Sequence, residues 1–224
     1  MKRLMTVMMV LFAMSGMVEA QEVLYKAGAT VKGKDVTYRV TTKEGRTSVF
    51  VQNTAIPDTT FKAIPRRLRD MPAQYKDIYA QVAMIVRETL TREELEKLMK
   101  LKERRLEFAI VVLRVDREKH KLLQVTYFEF LSYDKIHGYS SPDDCFWLTL
   151  APDRLHAIEQ AIVEKVEIPE QIQETFLTDD FVVGLVDFEL ADLEKLKERR
   201  KKAVEEWKAD PKLDLKITEP SIEQ

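Results

Sequence analysis

Apolar and polar side chains alternate along residues 36–42 (VTYRVTT) and again along 47–53 (TSVFVQN), on either side of Lys43-Glu44-Gly45-Arg46. A period of two belongs to a strand with one buried face, and Gly45 can adopt the positive φ of a tight turn, so these residues predict a β-hairpin. One face carries Val36, Tyr38 and Val40, the partner adds Val49 and Val51, and Phe50 lies on the other side. Residues 54–72 hold three prolines and the cluster Arg66, Arg67, Arg69, the pattern of a loop that separates this hairpin unit from the rest.

At Ala73 the period lengthens. Tyr75, Ile78, Tyr79, Val82, Ile85 and Val86 recur three and four apart and define one face of a helix. Thr91-Arg92-Glu93-Glu94 is a capping-box pattern, so a second helix starts there, with Leu95, Leu98, Met99 and Leu101 inward and a basic end that suits the helix dipole. Residues 106–115 and 121–131 are rich in Val, Ile, Phe and Tyr and predict a long hairpin closed by a polar turn at 116–120. Ala151-Pro152-Asp153 opens a helix that presents Leu155, Ile158, Ala161 and Ile162. A short strand at 165–168 and a longer one at 181–190 follow, the latter with Gly184 as a bulge or a close neighbour. Residues 191–209 form a charged surface helix with a thin apolar stripe of Leu193, Leu196, Val204 and Trp207, and Leu213, Leu215 and Ile217 alternate in the tail beyond it. These elements predict an α+β fold: an antiparallel sheet with helices packed on one face, an N-terminal hairpin unit and a peripheral C-terminal helix. The expected divisions are 1–20, 21–72, 73–190 and 191–224.

Composition narrows the classes of function. Against 36 basic residues stand 38 acidic ones, a net charge of −2, which lacks the basic excess a nucleic-acid binder needs to displace counterions from phosphates. With 45% hydrophobic residues the chain is not of disordered type. Residues 1–20 have the anatomy of a secretory signal: Lys2 and Arg3, an apolar run from Leu4, then Val18-Glu19-Ala20 with small residues at the positions that specify cleavage before Gln21. The expected product is exported, periplasmic or extracellular, with no integral membrane span once the leader is cut. Cys145 is the sole cysteine, which excludes an intramolecular disulfide, and it reads as a small buried hydrophobe.

Catalytic signatures are missing. His120, His137 and His156 have no metal-ligand spacing, and neither a nucleophile elbow, a Walker A loop nor a dinucleotide fingerprint occurs. His120 and His156 read as solvated polar residues, and Arg66, Arg67 and Arg69 as a solvated loop. No metal, cofactor or catalytic residue is assigned. Chemistry concentrates in residues 132–144 (SYDKIHGYSSPDD), a polar stretch after a long strand, whose Tyr133, Asp134, His137, Tyr139, Ser140 and Ser141 are the candidate binding residues. The alternative reading is an enzyme of unrecognised type with His137 as acid or base, which requires a recess and a second polar group from elsewhere.

From Thr91 to Leu190 the order helix, strand, turn, strand, loop, helix, strand resembles the C-terminal domain of TonB and similar exported bacterial proteins of unknown function. The likeness rests on residues 108–130, on 153–163 with the following Glu167-Ile168-Pro169-Glu170, and on 182–190. It implies a three-stranded antiparallel sheet backed by two helices, no catalytic residue, and protein or peptide binding. The resulting expectation is a non-catalytic protein- or peptide-binding or structural module of the bacterial envelope, with self-association through 191–209 as a further option.

Overall fold

Two hairpins merge into one sheet. The computed structural model describes residues 23–43, 47–57, 73–101, 104–116, 119, 121–141, 145–169, 180–186, 190 and 192–209. The expected leader, the Arg66–Arg67–Arg69 cluster, His120, Asp143, Asp144 and the alternating tail lie outside them. Among the described residues the strands are β1 (Thr30–Lys32), β2 (Thr37–Thr42), β3 (Val49–Asn53), β4 (Arg105–Asp116), β5 (Lys121–Asp134), β6 (Tyr139–Ser141) and β7 (Asp180–Val186). The helices are α1 (Ala73–Thr89), α2 (Arg92–Leu101), α3 (Pro152–Lys165) and α4 (Leu193–Ala209). The sheet order is β1-β2-β3-β5-β4-β7, antiparallel at every pairing, and β6 also pairs with β5. The protein is therefore α+β, as its periodicity predicts.

The core follows from the pleat. Ala109, Val111 and Leu113 of β4 are buried on one face, opposite Phe130, Phe128 and Val125 of β5. Phe128, Phe130 and Trp147 stack in sequence over that face, with centroids 5.6 and 5.9 Å apart. Val86 of α1 and Leu155 and Ile158 of α3 close over the same residues, so both helices bury their apolar stripes against one side of the sheet. β3 joins through Val49↔Phe130 and Val51↔Phe128, which places the apolar face of the first hairpin in the same core.

Local chemistry fixes the helix ends. The Thr91 N–H donates to Glu94 Oε2 at 2.7 Å and the Glu94 N–H donates to Thr91 Oγ1 at 3.2 Å, the reciprocal pair expected of a capping box. Arg154 at the start of α3 donates to both Glu94 oxygens, at 3.0 and 2.9 Å, and to the Thr89 carbonyl at 2.7 Å, tying α3 to the α1–α2 corner. Burial alone raises a carboxyl, yet the Arg154 and Thr91 bonds outweigh it and hold Glu94 below its usual range. α4 lies along α1 and buries Leu196 and Ala203, with Arg200 Nε 3.1 Å from the buried Asp77.

Several expectations are corrected. β5 continues three residues past Leu131, so Ser132, Tyr133 and Asp134 are strand residues and not loop. Gly184 sits in unbroken register opposite Ile110, while the irregularities fall between Val112 and Leu113 and between Arg114 and Val115. Residues up to Lys165 are helical, and the expected strand after them is reduced to the single bridge Lys121↔Glu167. On α4 the small Ala203, rather than its neighbour Val204, is the buried member of the seam. Among the described residues no helix is long and apolar enough to cross a membrane.

Candidate functional site

The sheet ends near α3 in a polar cluster drawn from three separated segments. Asp153, His156 and Glu159 are spaced by three on α3, one polar ridge beside the apolar Leu155, Ile158 and Ile162. Tyr38 and Asn53 are register partners on β2 and β3, so their side chains emerge together on the face that meets this ridge. Glu159 is the hub. It is 4% exposed and its carboxylate accepts from Tyr38 Oη at 2.8 Å, from Asn53 Nδ2 at 3.3 and 3.4 Å, and from His156 Nδ1 at 3.0 Å. A buried carboxylate is tolerated when its lone pairs are filled in this way.

The protons in the cluster can be placed. Burial pushes the Tyr38 phenol well above its ordinary value, and the charge and hydrogen bond of Glu159 push it further, so Tyr38 keeps its proton and donates it. Tyr25, packed edge-on against Tyr38 at 6.1 Å, is raised by burial and then by Asp153. A carboxylate can only accept, so the His156 hydrogen sits on Nδ1, the ring nitrogen that meets Glu159.

The β1–β2 turn closes the site from one side. The Lys34 N–H donates to Asp153 Oδ1 at 2.8 Å. A Cβ at Gly33 would collide with that same oxygen, so a larger residue there would have to displace the Asp153 carboxylate from its bond to the turn. Between turn, β3 end and helix lies a cleft of about 570 Å³ whose walls include Lys32, Lys34, Asn53, Thr54, His156 and Gln160.

The stretch singled out in the sequence is instead a second small hairpin. Tyr133 pairs with Ser140, Asp134 with Tyr139 and Ser132 with Ser141, and Gly138 takes φ 71° in the turn. Asp134 Oδ1 accepts the Ile136 and His137 N–H groups at 2.8 and 2.9 Å and lies 3.2 Å from His137 Nδ1. The His137 N–H leads these effects, which overcome burial and lower the Asp134 carboxyl to about 2. His137 is 54% exposed, its ring 5.9 Å from the exposed Tyr139, and its carboxylate partner comes from its own turn. Of the six candidates, the turn thus brings Asp134, His137 and Tyr139 together, while Tyr133, Ser140 and Ser141 serve the strand pairing.

Cys145 behaves as expected of a buried thiol. Burial raises it, as do the charge and hydrogen bond of the fully buried Glu107, which also accepts from Ser132 Oγ and the Phe146 N–H at 2.9 Å each. It is therefore not a nucleophile in waiting. His156, by contrast, is a quarter exposed and bonded, not a solvated surface residue. Sequence reasoning missed Tyr38, Asn53, His156 and Glu159 as a group; the legible trace was the three-residue spacing of Asp153, His156 and Glu159.

No protein-family model matches the chain, and no curated protein matches it. Among solved structures it is similar to a DUF5043 family protein from Bacteroides uniformis, with 14% identity, a TM-score of 0.47, and coverage of 74% of this chain and 87% of that one. At that level the likeness carries no argument about function, and it draws no line to TonB.

Proposed function

We propose that this chain is an exported binding module that grips its ligand without making or breaking bonds, and that the ligand site is the cleft between the β1–β2 turn, the end of β3 and α3. The observation that carries this reading is the buried Glu159, whose carboxylate fixes Tyr38 and Asn53 from the distant first hairpin and His156 from its own helix beside an open recess. Preorganised polar groups in a recess of 300–1,000 Å³ are what small-molecule and peptide-end recognition require. Export rests on residues 1–20, and envelope location and a peptide or small polar partner belong to the same proposal.

Titration of the isotope-labelled mature chain with muropeptides and short peptides tests it by NMR. The His156 ring and Asn53 amide signals move and saturate, while those of the Asp134 turn stay fixed. Movement confined to residues 132–141 overturns the cleft as the site. N-terminal sequencing of the exported protein should begin at Gln21.

A further inference from the structure

We propose that the cleft takes a neutral, polyhydroxylated ligand, a small sugar held by its hydroxyl groups, an inference that rests on the cleft being the ligand site. The first support is that the site offers no net charge of either sign with which to select an ion. The wall itself carries Lys32 and Lys34 against Asp35, a balance of +1. Asp153 and Glu159 adjoin it, and the groups they accept from, the Lys34 N–H, Tyr38 and Asn53, are neutral donors that leave both carboxylates charged. Counted with them, and with histidine taken as neutral, two cations stand against three anions, a balance of −1. An ammonium or a carboxylate would be stripped of water and then meet charges of both signs, whereas a neutral ligand has no such cost to recover.

The second support is the kind of hydrogen-bonding group left open. Asn53 is used on both sides of its amide, Nδ2 on Glu159 and Oδ1 on the Ala55 N–H at 3.0 Å, and His156 Nδ1 is used on Glu159. The hydroxyls of Thr37 and Thr54 and the amide of Gln160 line the same wall with no partner among the described residues. Their positions are set by the fold. The Thr54 N–H donates to the Thr37 carbonyl at 2.9 Å, which brings the two threonines together, and Gln160 follows His156 by one helical turn on α3. Each of these groups both donates and accepts, as every hydroxyl of a sugar does, so the bonds can run in either direction. A peptide would need apolar recesses for its side chains, yet among the described residues the wall's apolar side chains are Val36, which is buried, and Ala55. Among the same residues no Phe, Tyr or Trp lines the wall, so the sugar is gripped at its rim rather than stacked, and binding is weak.

The test titrates isotope-labelled, full-length mature protein at pH 7.5 and follows the Gln160 amide and the Thr37 and Thr54 methyl signals by NMR. The probes are maltose and N,N′-diacetylchitobiose, then D-glucose against D-glucuronate, N-acetylglucosamine against glucosamine, and N-acetyl-alanyl-alanine amide as a neutral peptide. The neutral sugars move these signals to saturation, and the charged twins bind no more tightly than their neutral partners. Affinity changes less than about twofold between low and high salt, since no ion pair is there to screen. Thr54→Val and Gln160→Met each weaken sugar binding by roughly threefold to tenfold, one net hydrogen bond apiece, with the Asp134-turn signals unmoved as the check on folding. A charged twin that binds more than about threefold tighter, or an affinity that falls steeply with salt, overturns neutral recognition and leaves the cleft as the site. A peptide amide that binds at least as tightly as the sugars overturns the sugar and likewise leaves the cleft. Unchanged binding in both variants overturns the grip assigned to Thr54 and Gln160. No response to any probe, or movement confined to residues 132–141, overturns both the inference and the reading beneath it.

Discussion

Removing the Tyr38 hydroxyl leaves a buried carboxylate with two of its three donors. Tyr38→Phe is expected to cost about 1–3 kcal/mol in urea unfolding, the penalty of an under-satisfied buried acceptor. In the double variant with Glu159→Gln, the two losses should fall short of additive by more than about 0.5 kcal/mol, because the partners touch. Additive losses would separate Tyr38 from the cluster. At the other polar site, Asp134 should titrate in the folded protein near pH 2, below its unfolded value, as read from its carboxyl carbon shift. A depressed acid stabilises the fold above its unfolded pKa and loses that contribution as pH falls through the folded one, so the window lies between about pH 4 and pH 2. In Asp134→Asn that part of the acid-induced loss disappears. Such residue-level facts were only half readable. The alternation of VTYRVTT puts Tyr38 on the inward face, but the acid it meets is 121 positions away in the chain, and no local pattern announces a contact of that separation.

Helix starts were legible because capping is local, whereas strand ends were not. Thr91→Ala removes one half of the capping box and should cost about 1 kcal/mol. Glu94→Ala should cost more, since Glu94 also receives Arg154, and thermal unfolding of the two variants ranks them. Equal losses would show that the Arg154 contact adds nothing. β5 shows why the opposite failure occurs. Ser132 and Asp134 look like loop residues in a sequence, yet the register runs on to Arg105↔Asp134 because Ser132 donates to the buried Glu107 across the ladder. Polar residues that satisfy one another inside a sheet are indistinguishable, one strand at a time, from polar residues that satisfy themselves in water. The same blindness hid β6 and turned a hairpin into a single loop.

At the scale of the whole molecule, element types were predictable and their joins were not. The pairing of β3 with β5, and the seating of α4 on α1, both depend on partners far apart in sequence. α4 makes the clearest case. Its seam of Leu196 and Ala203 is narrow, as the sequence implies, and is packed into this chain's own core. Leu196→Ala should therefore cost about 2–5 kcal/mol, the usual result of emptying a fully packed leucine site. Arg200 sits at the same contact and has a different signature. It lies 3.1 Å from Asp77, whose carboxyl is raised above its usual range by burial in spite of Arg200 and the bond from Gln81 at 2.9 Å. Arg200→Ala raises that acid further, so the fold then favours the protonated form. The resulting penalty is full where Asp77 is ionised in both states and lifts as pH falls through its folded pKa. Urea unfolding of Arg200→Ala against the unaltered protein at pH 7 and pH 4.5 should show a smaller deficit at the lower pH, whereas the Leu196→Ala deficit stays level. A deficit for Arg200→Ala that ignored pH would mean that its side chain holds α4 in place by packing rather than by charge.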